Sequence, residues 1–172
     1  MNNILGNVIR MSVKHSIANG ANASTICQEI DSFVIGCVID YCRRNSDFHV
    51  YKDYIEKMDL GKGETGTYCK YTGEVIISRY HYEDVIKLVC IGTSSGEDLL
   101  RRMVRTILHE HRHAKQHKCK FPETKIPYIQ PEEDYQAYYN HPMEVDAREI
   151  AEYHVDDALA YIIGKMRIKY LP

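Results

Sequence analysis

The chain has no Cys-x-x-Cys pair, no long apolar run and no excess of basic charge. Each absence excludes a class of protein. Cys27, Cys37, Cys42, Cys69, Cys90 and Cys119 stand apart from one another, so a zinc ribbon, which needs short paired spacings, is excluded. The longest apolar run, Phe33 to Ile39, is far short of the roughly 20 residues of a membrane helix. Net charge is -2, which argues against nucleic acid as a partner. Arg101, Arg102 and Arg105 cluster locally, but as a solvated helix face. Arg10, Lys14 and His15 interrupt any apolar stretch before Ala21-Asn22-Ala23, so no secretory signal is expected. These readings predict a soluble cytoplasmic protein with free thiols, no membrane partner, and one domain spanning residues 1–172.

The sequence does carry punctuated amphipathic patterns. Apolar residues recur at three and four from Thr25 to Arg43, with Thr25 and Gln28 suggesting a capping box. Ile4, Leu5, Val8 and Ile9 allow a short first helix before Asn19-Gly20. Aromatic and β-branched residues over 48–58 predict a strand. Gly61-Lys62-Gly63-Glu64-Thr65-Gly66 spells G-x-G-x-x-G, but strand-like residues follow where a dinucleotide site needs a helix, so it reads as a loop. Two strands over 66–71 and 74–80 flank a turn at Thr72-Gly73. A short helix is expected over 82–91. Ser94 and Glu97 suggest the cap of a long helix over 95–118. Residues 121–140, with three prolines, four tyrosines and an acidic run, read as a loop. A last helix begins at His141-Pro142 and runs to about residue 161 or 165.

On the long helix lies His109-Glu110-His111-Arg112-His113, a His-Glu-x-x-His motif. Helical geometry sets His113 about 40° round the axis from His109 and one turn on, so one metal ion can be gripped by both. Glu110 beside them is placed to take a proton from a water on that metal. Chance alone would supply roughly 0.03 such motifs in a chain of this composition. His111 faces about 200° away and is not expected as a ligand. Three candidates stand for the third ligand. His117 drifts about 80° from His109, a surface or supporting position. The metzincin spacing fails, because Gln116 and Cys119 occupy its Gly and His positions. Glu144, on the last helix, would complete a set of two histidines and a carboxylate, with Asp146 and Glu149 as alternatives.

His109-Glu110-x-x-His113 followed by Glu144-x-x-Ala147 resembles the gluzincin branch of the zincin metallopeptidases. It is most similar to the compact intracellular and phage-borne kind, including the small repressor-cleaving peptidases of mobile elements. The resemblance rests on residues 109–151. It implies zinc held by His109, His113 and Glu144, with Ala147 allowing close helix approach and Glu110 as general base for hydrolysis of a peptide bond in a protein or peptide substrate. It further implies an α+β fold: a minimal zincin-like domain whose small antiparallel sheet packs on the active-site helix and on a C-terminal ligand-bearing helix. An edge strand from residues 66–80 would line the cleft. Relatives often carry Asp or Asn after the alanine. Here Arg148 stands there, free to pair with Glu144 or Asp146. Tyr138, Tyr139, His141 and His154 are open candidates for stabilising the oxyanion. The competing expectations are a non-catalytic metal-binding or interaction protein that keeps the zinc as a staple, and a helical interaction protein with an incidental histidine cluster.

Overall fold

The computed structural model describes residues 2–61 and 63–171. Lys62, within the glycine-rich loop, lies outside them. The described residues form an α+β fold in which helices dominate. Helix α1 spans Asn2–Ala18, much longer than the weak pattern suggested. Its buried stripe is Leu5, Val8, Ile9, Ser12 and Val13. Ser12 interrupts the apolar periodicity, yet it is fully buried because its hydroxyl donates to the Val8 carbonyl at 2.8 Å. Helix α2, Ala23–Arg44, buries Ile26, Ile30, Val34 and Val38 at four-residue spacing. Its cap is Asn22, whose side chain accepts from the N–H groups of Ser24 and Thr25, so Thr25 is inside the helix rather than at its cap.

The strand expected over 48–58 is confined to β1, Glu56–Met58, while Phe48 drops into the core. Strands β2, Gly66–Cys69, and β3, Glu74–Ser78, form the expected hairpin. β1 pairs with β3 in parallel, so the sheet is mixed, with order β1-β3-β2 and β2 on an edge. Lys57 anchors β1 by donating to Asp31 Oδ2 at 2.6 Å and to the Tyr82 carbonyl at 2.8 Å. Short helices α3, Arg79–Tyr82, and α4, Val85–Ile91, follow.

Helix α5 spans Ser94–Cys119 and is capped by Thr93, whose hydroxyl accepts from Gly96 N–H at 3.1 Å. The next segment holds a 3₁₀ turn at Pro122–Lys125 and helix α6, Tyr135–Tyr139, where only loop was expected. Helix α7 starts at Pro142 and continues to Tyr170, beyond the expected end, because Ile162, Ile163, Met166 and Tyr170 extend its buried side. α5 and α7 make the most extensive helix pair and carry the centre of the core. Along α7, Ala147, Ala151 and Ala158 are fully buried, and side chains this small let neighbouring backbones come close. No helix among the described residues is long and apolar enough to cross a membrane.

One contact fixes the start of α5 against α4. A Cβ on Gly96 would lie 2.5 Å from the Leu88 carbonyl carbon and 2.6 Å from the Val89 nitrogen. Both are backbone atoms and cannot turn aside. Helix propensity favours alanine over glycine by about 1 kcal/mol, but overpacking costs about 1–3 kcal/mol, so the collision wins. Gly96→Ala is expected to lower the urea midpoint of unfolding; an unchanged or raised midpoint would show that α4 gives way freely.

Candidate metal centre

His109 and His113 are one turn apart on α5, and Glu144 is in the first turn of α7. The crossing of these helices brings them together. His109 Nε2 lies 3.2 Å from Glu144 Oε2, His113 Nε2 lies 3.2 Å from Glu144 Oε1, and the two ring nitrogens are 3.0 Å apart. One donor atom from each residue fits within 4.8 Å of the others. Glu144 is 2% exposed. Two imidazole nitrogens and a buried carboxylate oxygen converging on one point form a donor set that could hold a metal ion. The charges follow this logic. Burial opposes ionisation of Glu144, yet hydrogen bonds from His109 and His113 outweigh it and hold the carboxyl well below the usual range. Burial likewise opposes protonation of His113, but Glu144 and Glu110 draw it upward.

His113 is oriented from behind. Its Nδ1 faces Gln116 Oε1 at 2.8 Å, and Gln116 Nε2 donates to Asp146 Oδ2 at 2.6 Å and to the Met143 carbonyl at 2.9 Å. Asp146 also receives Arg112 through Nε at 2.7 Å and a terminal nitrogen at 2.9 Å. The amide oxygen accepts from His113 Nδ1–H, which would leave Nε2 as the atom to ligate a metal. Asp146 is therefore committed to Arg112 and Gln116 and does not join the cluster. Glu149 is exposed at the margin of the cleft. Arg148 pairs with neither Glu144 nor Asp146: its guanidinium lies 3.8 Å from the Tyr139 ring centroid and donates to the Tyr139 carbonyl.

Glu110 is 6% exposed. Burial pushes its carboxyl up, and the negative charges of Glu144 and Glu64 add to that against the pull of His109 and His113. The cover over it is β2. A Cβ on Gly66 would meet Thr106 Cγ2 at 2.5 Å and Glu110 Oε1 at 3.1 Å, so any side chain there would force the strand or Thr106 to shift. The free edge of β2 borders the cleft. Ser78 N–H donates to the Thr65 carbonyl at 2.9 Å, and antiparallel alternation then turns the backbone groups of Gly66 and Tyr68 away from β3. The cleft has two lobes that meet at Glu110, Glu144, Gly66 and Tyr138. One follows β2 past Tyr68 and Lys70, with His117 on its floor and Ile126 and Tyr128 opposite. The other passes Arg105, Tyr135 and Arg148.

The remaining expected residues divide sharply. His111 is buried away from the cleft, its Nδ1 2.8 Å from the Ile107 carbonyl, and burial lowers its pKa to about 4. His117 rests against the Tyr68 ring, outside the ligand trio. His154 is removed from the cleft, held by Asp47 Oδ2 at 3.0 Å and by the Tyr41 hydroxyl at 2.9 Å. His141 caps α7 by accepting from Met143 N–H at 3.3 Å. Tyr139 reaches only the outer lobe, whereas Tyr138 lines both. Two contributors were not foreseen. In the sequence Gln116 stands only as a departure from the metzincin spacing. Tyr128 donates its hydroxyl to Glu144 Oε1 at 2.7 Å from a segment without periodicity.

Compared with protein-family models, characterised proteins and solved structures, the chain matches none.

His109→Ala, His113→Ala and Glu144→Ala are each expected to lose bound metal, while Glu110→Gln retains it. Elemental analysis of protein isolated without nickel affinity checks this, and full metal in His113→Ala or Glu144→Ala would refute the ligand set. Gly66→Ala is expected to keep its metal but lose stability by about 1–3 kcal/mol, since its methyl group must displace β2 from Thr106.

Proposed function

We propose that the chain is a zinc-dependent metallopeptidase of the gluzincin kind, with His109, His113 and Glu144 holding the ion and Glu110 as general base. The observation that carries this reading is the position of Glu110. It is buried beside the trio, under Gly66, where the two lobes of the cleft meet. A metal needed only to clip α5 to α7 would require neither a buried carboxylate next to it nor a cleft running past on both sides.

A zinc ion held there supplies Lewis acidity, lowering the pKa of a water toward ~7 and polarising a carbonyl. The protein's own groups perform the rest. An extended peptide pairs with the outward backbone groups of Gly66 and Tyr68, which places its scissile bond over Glu110. Glu110 takes a proton from the attacking water on its carboxylate and passes it to the leaving amine. Its burial favours holding that proton in between. Tyr138, where the lobes join, donates its phenolic hydrogen to the oxyanion. Burial and the charges of Glu144 and Glu110 keep that phenol protonated. Scattered cysteines, three of them buried and none in a disulfide, fit a reducing cytoplasmic setting.

The second reading is a non-catalytic protein that keeps the ion as a staple. It is favoured by the Arg112–Asp146 pair and the Gln116 bridge, which make the α5–α7 crossing beside the trio a structural junction that an ion would reinforce. Kinetics separate the two readings. Against a fluorogenic peptide library, Glu110→Gln is expected to keep its zinc and lose about 10²–10⁴-fold in kcat. Tyr138→Phe is expected to lose about 10²-fold in kcat with KM little changed. A zinc-loaded wild type that cleaves no library member would leave the staple reading standing.

A further inference from the structure

Glu144 has two oxygens, and they are not equivalent. Oε2 faces His109 Nε2 at 3.2 Å. Oε1 faces His113 Nε2 at 3.2 Å and also receives the Tyr128 hydroxyl at 2.7 Å. A carboxylate oxygen that accepts a phenolic hydrogen is a poorer donor to a cation and is held in one direction. Tyr128 lies in the stretch between the 3₁₀ turn and α6, outside both helices that carry the trio and with no helix of its own. Its ring is braced edge-on by Tyr138 at 5.8 Å and by His141 at 5.3 Å. His141 in turn caps α7, two residues before Met143 and three before the ligand itself. The brace therefore joins the segment opposite β2, the start of α7 and the ligand carboxylate.

We propose that Tyr128 is the positioning residue of this centre: its hydroxyl holds Oε1 of Glu144, turns Oε2 toward the ion, and makes metal binding and the ordered conformation of segment 122–139 favour one another. The inference rests on the reading of the trio as a metal centre and adds a residue that acts on the ion through its ligand. The coupling is reciprocal by necessity. If the ordered segment improves the ligand, the ion must order the segment to the same extent. The device also explains why a tyrosine 46% exposed has its polar end directed inward at a buried carboxylate rather than at water.

The test uses the full chain and zinc alone. Tyr128→Phe removes one oxygen and keeps the ring that Tyr138 and His141 brace. In competition with a chromogenic chelator, Tyr128→Phe is expected to raise the zinc Kd by about 10–100-fold, while Glu110→Gln leaves it unchanged. In hydrogen exchange, zinc is expected to slow the amides of 122–139 in the wild type and to lose that effect in Tyr128→Phe. The wild-type exchange needs no variant, so it stands even if the substitution harms folding. An unchanged Kd in Tyr128→Phe, or wild-type exchange over 122–139 indifferent to zinc, overturns the proposal. Loss of zinc in His113→Ala beside full affinity in Tyr128→Phe removes Tyr128 alone. A wild type that takes up no zinc removes the metal centre and the Tyr128 role together.

Discussion

A buried carboxylate between two imidazoles governs this structure. Glu144 at 2% exposure is expensive to desolvate, and the convergence of His109 and His113, with the Tyr128 hydroxyl, compensates it. That convergence requires α5 and α7 to cross at one register. The crossing is fixed by small residues on α7, by Gln116 reaching the Met143 carbonyl, and by Arg112 on Asp146. A shift of one residue along either helix would rotate a ligand away by about 100°. The apolar core sets the helices side by side, and the polar contacts select one alignment among those it would tolerate.

Burial divides the histidines by role. His109 and His113 point where α7 supplies a carboxylate. His111, on the opposite face of the same helix, is among apolar neighbours and donates to its own helix backbone. His154 is satisfied by Asp47 and Tyr41 and ties α7 to the region after α2. The same side chain thus stands as candidate ligand, core filler and tether within one small molecule. What differs is whether a negative partner or a carbonyl faces the ring, and whether the ring borders the cleft.

Local periodicity made much of this legible. The four-residue repeat of α2, the hairpin at Thr72-Gly73 and the Pro142 start of α7 follow from spacing and turn chemistry that act over a few residues. His109 and His113 belong to that class, since one helical turn defines them. Glu144 needed the further inference that a second helix carries it, and Glu144-x-x-Ala147 supplied that. The misses lie where tertiary contacts override local pattern. The apolar pattern of residues 4–9 suggests only a short first helix, but α1 runs on to Ala18 and buries Ser12, whose hydroxyl bonded to its own helix lets it pack as if apolar. β1 joins the sheet in parallel through a pairing that no neighbouring residue announces. Tyr128 reaches Glu144 from an irregular segment, and Arg148 turns to Tyr139 instead of a carboxylate. In both cases the partner is chosen by the path of the chain, which carries no sequence period.

The free edge of β2 bears on how this molecule behaves in a crowded solution. Exposed strand edges template pairing with other copies and lead to aggregation. Here the edge is four residues long, lies over α5 through Gly66, and shares a cleft with the 124–131 stretch. A second sheet approaching it would bring adjacent strands into collision with that stretch. A single extended chain would not collide. The recess therefore shields the edge from self-association while leaving its hydrogen-bonding groups usable, so colloidal safety and an available strand edge come from one piece of geometry.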